Sequence, residues 1–110
     1  MPAYDVTDKL LKEIVDRIVD TAHPEKIVLF GSRSRGDQRQ SSDLDLLIVT
    51  ASDEPRHRRS PAIYLALRDI QVPMDIVVYT PEEIAEWEGV RQAFITTAMR
   101  EGKVLYERAA

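Results

Sequence analysis

The chain has 110 residues, 44% of them hydrophobic, a formal net charge of −4 and no cysteine. That length suits one domain over residues 1–110 with one core, and leaves no room for a second domain that grips a substrate. The excess of acid gives no electrostatic reason to expect nucleic acid. The missing thiols exclude a cysteine nucleophile and a thiolate zinc site, and no apolar run reaches the roughly eighteen residues of a membrane span.

Met1-Pro2-Ala3-Tyr4-Asp5 does not have the pattern of a signal peptide, so a cytoplasmic location is expected. Leu10, Leu11, Ile14, Val15, Ile18 and Val19 then recur at helical spacing. Asp5 or Thr7 can cap that helix and His23-Pro24 ends it, and its apolar stripe is expected to cover one face of a sheet. Ile27-Val28-Leu29-Phe30 reads as a buried strand that stops at Gly31-Ser32. A polar stretch follows, and the apolar run Leu44 to Val49 reads as the next strand, opened by Asp43 and Asp45.

Ser52 to Arg59 is polar throughout and is expected to form a mobile, solvated loop. The functional alternative for this arginine-rich stretch, 53–60, is contact with an acceptor or with nucleic acid. Ser60-Pro61 starts a helix with proline at its first position, and Ile63, Tyr64, Leu67 and Ile70 give it an apolar side. After Pro73, the β-branched run Met74 to Tyr79 reads as a third strand with Asp75 near its start. Thr80-Pro81-Glu82-Glu83 combines a capping box with proline at the first helical position. A further helix is expected from about Val90 to Arg100, stopped at Gly102, before a short strand Val104-Leu105-Tyr106. Trp87 and Phe94 are expected in the core, with a partner surface as the alternative. The order is helix, strand, strand, helix, strand, two helices, strand. This is an α/β (α+β) arrangement around a mixed β-sheet of about four strands flanked by helices.

The acids carry most of the chemical information. Side chains two apart on a strand share a face, so Asp43 and Asp45 point the same way with Cα atoms about 6.8 Å apart. Carboxylates that close repel each other, and a bound divalent cation removes the penalty. Oxygen donors without sulfur favour Mg²⁺, or Mn²⁺, over zinc. If the Asp75 strand lies beside the Asp43 strand, three carboxylates meet on one face. Three are enough for two ions about 3.5 to 4 Å apart, the arrangement used in phosphoryl and nucleotidyl transfer. Gly31 allows a sharp turn and a close backbone approach, Ser32 offers a hydroxyl and an N–H, and Gly36 permits a second unusual backbone conformation. Arg33 and Arg35 place cationic forks beside that cradle, suited to phosphate oxygens. Other motifs do not fit. Gly36 is followed by Asp37-Gln38 rather than the lysine of a P-loop, Asp45 is followed by Leu46-Leu47-Ile48 rather than the further oxygen ligands of an EF-hand, and His23 and His57 lie far apart in loop-like sequence.

Gly31-Ser32-Arg33-Ser34-Arg35-Gly36-Asp37 followed by Ser42-Asp43-Leu44-Asp45-Leu46-Leu47-Ile48-Val49 resembles the signature of the DNA polymerase β-like nucleotidyltransferase superfamily. Among its branches, the short length is similar to the minimal nucleotidyltransferases (MNT) found as antitoxins beside helical HEPN toxins. The resemblance runs from the first helix to the final strand. It is most specific from Gly31 to Val49 and weakest after Tyr79. It implies the nucleotidyltransferase fold, two Mg²⁺ ions held by Asp43, Asp45 and Asp75, and ATP bound by Gly31 and Ser32, with Arg33, Arg35 and Ser42 added to the nucleotide site. It also implies transfer of AMP to a hydroxyl, with a tyrosine of a HEPN-type partner as acceptor. The alternative is a non-catalytic antitoxin that neutralises its partner by binding alone. A domain stripped of an acceptor-gripping module is expected to depend on such a partner or to form a homo-oligomer.

Overall fold

In the computed structural model, the described residues are 6–31, 44–87 and 94–109. Helix α1 spans Asp8–Ala22. Of its two candidate caps, Thr7 is the one seen: its hydroxyl accepts from the Leu10 N–H at 3.1 Å. The helix ends where His23 turns left-handed, with φ of 47°, and donates its N–H to Val19 O.

Strand β1 covers Lys26–Phe30, β2 Leu44–Val49, β3 Met74–Tyr79 and β4 Lys103–Glu107. They form one sheet in the order β3-β2-β1-β4, in which β1 runs antiparallel to both β2 and β4 while β2 and β3 are parallel. The near-continuous apolar run of β2 follows from its central place, because a strand covered on both faces has no solvent side to fill with polar residues. On one face Leu44, Leu46 and Ile48 join Ile27 and Leu29 under α1 and α2, the latter spanning Pro61–Ala66. Ile14, Ile18 and Ile63 are the buried helix residues in that layer. On the other face Val28 and Leu47 pack under Ile95 and Ala98 of α4, Phe94–Glu101, with Ile84 of α3, Pro81–Trp87, beside them.

Gly102 allows α4 to sit close to β1. A methyl group there would overlap the Ala98 carbonyl and Val28 Cγ1, and would come within 3.0 Å of Leu29 O. Backbone and core atoms cannot yield as a flexible chain end does, so Gly102→Ala is expected to lower unfolding stability by about 1 to 3 kcal/mol, measured by urea denaturation. An unchanged midpoint would show that α4 is not held this tightly.

Several expectations change in the folded chain. The stretch Ser52 to Arg59 is not a set of free charges. It contains a 3₁₀ turn, Arg56–Arg58, and Arg59 is nearly buried, with 9% of its side chain exposed. Arg59 Nε donates to Glu54 O at 2.8 Å and its Nη1 to Val78 O at 3.2 Å. Its guanidinium forks onto Glu83 at 2.7 and 3.3 Å. Glu83 also completes the capping box, accepting from the Thr80 N–H at 2.9 Å while its own N–H donates to Thr80 Oγ1 at 3.2 Å. Arg56 stacks 4.6 Å from the centroid of the Tyr79 ring and donates to its hydroxyl. Trp87, expected in the core, is 45% exposed, because α3 buries none of its residues fully. Helix α2 is shorter than its apolar pattern suggested, ending at Ala66 before a turn closed by Ile70 N–H to Leu67 O. Of the helix expected from Val90, residues 90–93 lie outside the described residues, and so does the side chain of Phe94.

The Arg59 fork holds the Glu83 carboxyl below the ordinary glutamate range, and the Thr80 N–H works in the same direction. Because the folded value is lower than the unfolded one, the pair contributes its full stability above the ordinary value of about 4.3 and loses it as the pH falls through the lowered folded value. Arg59→Ala is expected to cost about 2 to 3 kcal/mol at pH 7. That deficit should shrink as a denaturation series is taken from pH 7 down through the acid range. A deficit that stayed constant to pH 3 would contradict the assignment of this pair.

Candidate active site

The antiparallel pairing of β1 with β2 brings the end of one strand and the start of the next to the same end of the sheet. Phe30 at the end of β1 pairs with Asp45 at the start of β2, and Asp45 pairs with Asp75 at the start of β3. Partners directly opposite in neighbouring strands share a face and lie about 4.8 Å apart at Cα. Phe30, Asp45 and Asp75 therefore form one row across three strands, on the face that carries Val28, Leu47 and Val77 one step further in. Asp45 is half-buried and Asp75 exposed, so the row opens outward from the centre of the sheet toward its edge strand.

The register of this row is fixed just before it begins. The Leu44 N–H donates to Pro73 O at 2.9 Å, and from there β2 and β3 pair without a shift from Leu44↔Met74 to Val49↔Tyr79. A slip of one residue would send Asp75 into the layer occupied by Ile76, which is 4% exposed. The hydrophobic pattern of β3 thus enforces the meeting of the acids.

Gly31 closes the other side. It has φ of +79°, a conformation that side chains other than glycine rarely adopt, and its backbone lies directly against the Asp45 carboxylate. A methyl group at this position would overlap Asp45 Oδ2 and lie 3.3 Å from Cγ. Among the expected site residues, the structure thus brings together Gly31, Asp45 and Asp75. Ser32, Arg33, Arg35, Ser42 and Asp43 lie outside the described residues. Among the described residues no three acidic, histidine or cysteine groups gather as a metal site, so the pair Asp45 and Asp75 is the described part of any such centre. Asp45 and Asp75 supply hard, anionic oxygen donors, the donor chemistry that suits Mg²⁺ or Mn²⁺.

The arginine-rich loop does not belong to this row. Tyr79, on which Arg56 stacks, is four residues from Asp75 along β3, roughly 13 Å at strand rise. Arg56 and Arg59 bind toward the opposite end of the sheet, at Tyr79 and Val78 O. Two contributors near the acids were not singled out from sequence. The Tyr64 hydroxyl accepts from the Ile76 N–H at 2.8 Å, and the Pro73 carbonyl aligns β2. For Tyr64 a signal was present, since a phenol on an apolar stripe carries a polar tip that needs a partner.

Comparison with known proteins agrees with this architecture. The family model for the nucleotidyltransferase domain matches residues 8–104. A solved structure of a Sulfolobus solfataricus protein assigned as a nucleotidyltransferase aligns with a TM-score of 0.64 at 24% identity, covering 91% of this chain and 79% of that one. A toxin-antitoxin structure with AMP-PNP aligns at 0.62 and 22% identity, covering 89% of this chain and 73% of that one. A mutant of the MntA-HpeT toxin-antitoxin aligns at 0.58 and 19% identity, with the same two coverages. At these identities the likeness is one of fold. No curated protein sequence gives a significant match. With the family model spanning all but the ends of the chain, this chain belongs to the nucleotidyltransferase domain family.

Proposed function

We propose that this chain is a metal-dependent nucleotidyltransferase that moves AMP from ATP to a hydroxyl, with a tyrosine of a HEPN-type toxin as acceptor, and thereby acts as an antitoxin of the minimal nucleotidyltransferase kind. The observation that carries the reading is the register pairing of Asp45 with Asp75 beside the Gly31 turn. The family match supports the reaction class. The two toxin-antitoxin structures that share the fold support the biological setting.

In the proposed reaction an acceptor oxygen bonds to the α-phosphorus of ATP, the bond from that phosphorus to the bridging oxygen breaks, and pyrophosphate leaves. Asp43, Asp45 and Asp75 would hold two Mg²⁺ ions, which supply charge neutralisation for the phosphates and acidify the acceptor hydroxyl. Asp75, exposed at the edge strand, is assigned as a ligand of these ions or as the base that takes the hydroxyl proton. Gly31, without a side chain, leaves room for the Asp45 carboxylate against the main chain. Ser32, Arg33, Arg35 and Ser42 are assigned to the phosphates, where hydroxyl and guanidinium donors meet the charge of the departing pyrophosphate.

The test is incubation of the protein with α-labelled ATP, Mg²⁺ and the product of the adjacent gene. Label is expected on a tyrosine of that partner, with release of pyrophosphate. Absence of label from every acceptor offered, with the wild-type protein folded, would overturn the reading.

A further inference from the structure

We infer that Tyr64 is a positioning residue for the acid row: from outside the sheet it holds the peptide that follows Asp75, and so sets the metal affinity of that end of the site. The inference rests on the proposed function and extends it to a residue that touches neither metal nor nucleotide.

Among the described residues, β3 is an edge strand with β2 on one side only. The carbonyls of Pro73 and Tyr79 face β2, accepting from the N–H groups of Leu44 and Thr50. By the two-residue alternation of a strand, the main-chain groups of Asp75 also face β2, while those of Ile76 and Val78 face outward. The single peptide joining Asp75 to Ile76 therefore has its carbonyl toward β2 and its N–H toward the free edge. That N–H would be unpaired on an ordinary edge strand. Here it donates to the Tyr64 hydroxyl at 2.8 Å. Further along the same edge, Val78 O accepts from Arg59 at 3.2 Å. Two side chains thus stand in for the missing strand, one beside the acid and one toward the far end.

The rest of Tyr64 is poorly accounted for by burial. It is 39% exposed, whereas Ile63 before it and Leu67 after it are 2% and 1% exposed. An exposed ring whose oxygen reaches a backbone N–H contributes more by direction than by area. With both ends bonded, the peptide cannot rotate, and the Asp75 Cα it carries stays level with Asp45. Without the phenol, the peptide next to the acid is tied on one side only, and the repulsion of two like charges about 4.8 Å apart at Cα meets less resistance there.

The experiment titrates Mn²⁺ alone into the full chain by calorimetry, for wild type, Tyr64→Phe and Arg59→Lys, with Ile76 amide exchange read by NMR and labelled-AMP transfer measured alongside. Tyr64→Phe keeps the ring and removes only the hydroxyl. Its Mn²⁺ dissociation constant is expected to rise roughly tenfold, at the lower end of the loss seen when groups supporting metal ligands are removed. Exchange at Ile76 should quicken and transfer should fall at subsaturating metal but recover at high metal. Arg59→Lys loses the bidentate fork and more stability, and is expected to bind Mn²⁺ as wild type does. Equal Mn²⁺ affinity in wild type and Tyr64→Phe would overturn the inference and leave the proposed function standing. Losses in both variants that track their melting temperatures would overturn it as a mere stability effect. Failure of wild type itself to bind Mn²⁺ or transfer label would instead bring down the functional reading on which it rests.

Discussion

Asp45→Asn is expected to reduce nucleotidyl transfer about a thousandfold, equivalent to roughly 4 kcal/mol of transition-state stabilisation. Asp45 occupies the middle of the row, with Gly31 pressed on its carboxylate and Asp75 opposite in register. The amide keeps the size of the side chain and one acceptor oxygen while removing the charge, which separates chemistry from packing. A second readout makes the result independent of the acceptor. A ligand that binds only the folded state at one hundred times its dissociation constant stabilises it by about 2.7 kcal/mol. For a chain of this size that raises the melting temperature by roughly ten degrees. Wild type is expected to show such a shift with ATP and Mg²⁺ together, and Asp45→Asn to lose most of it. Should the variant retain both the shift and the transfer, the acid row is not the reaction centre. Retained protection against the partner toxin at equal abundance, with transfer lost, would favour an antitoxin that works by binding alone.

Gly31→Ala is expected to cost at least a hundredfold in transfer with a loss of only about 1 to 2 kcal/mol in unfolding stability. The stability loss comes from holding an L-residue at φ of +79°. The activity loss has a different origin. The new methyl group would overlap Asp45 Oδ2, and the soft partner in that collision is the carboxylate, which moves by side-chain rotation. Displacing a reacting or ligating group by about 1 Å is enough for a hundredfold loss of rate. Single-turnover transfer measured beside urea denaturation separates the two effects. If activity fell only as far as the folded fraction does, the glycine would be a turn residue and nothing more.

Much of this molecule was legible because it is written in short-range chemistry. The Thr80-Pro81-Glu82-Glu83 box needs only residues three apart, and both of its reciprocal hydrogen bonds are present. The stripe of α1 and the runs of β2 and β3 are set by helical and strand periodicity, and their bounds fall within a few residues of expectation. Arg59 and Trp87 were misjudged for a common reason. A charge run looks like a solvated surface until a partner 24 residues away, Glu83, folds against it. A tryptophan looks like core until its helix proves to bury none of its residues fully.

By itself the sequence determined which segments form helices and strands, that glycine and acids fall at strand ends, and that an oxygen-donor site suited to a nucleotide would follow if those ends met. Strand order, the parallel and unshifted pairing of β2 with β3, and the capping of the β3 edge by Tyr64 and Arg59 were decided only by tertiary structure. The physical reason is that a strand's alternation names its two faces but not its neighbour. The neighbour is chosen by which arrangement buries Leu44, Leu46, Ile48, Ile76 and Val78 together, a condition on residues up to 34 positions apart that no local pattern contains.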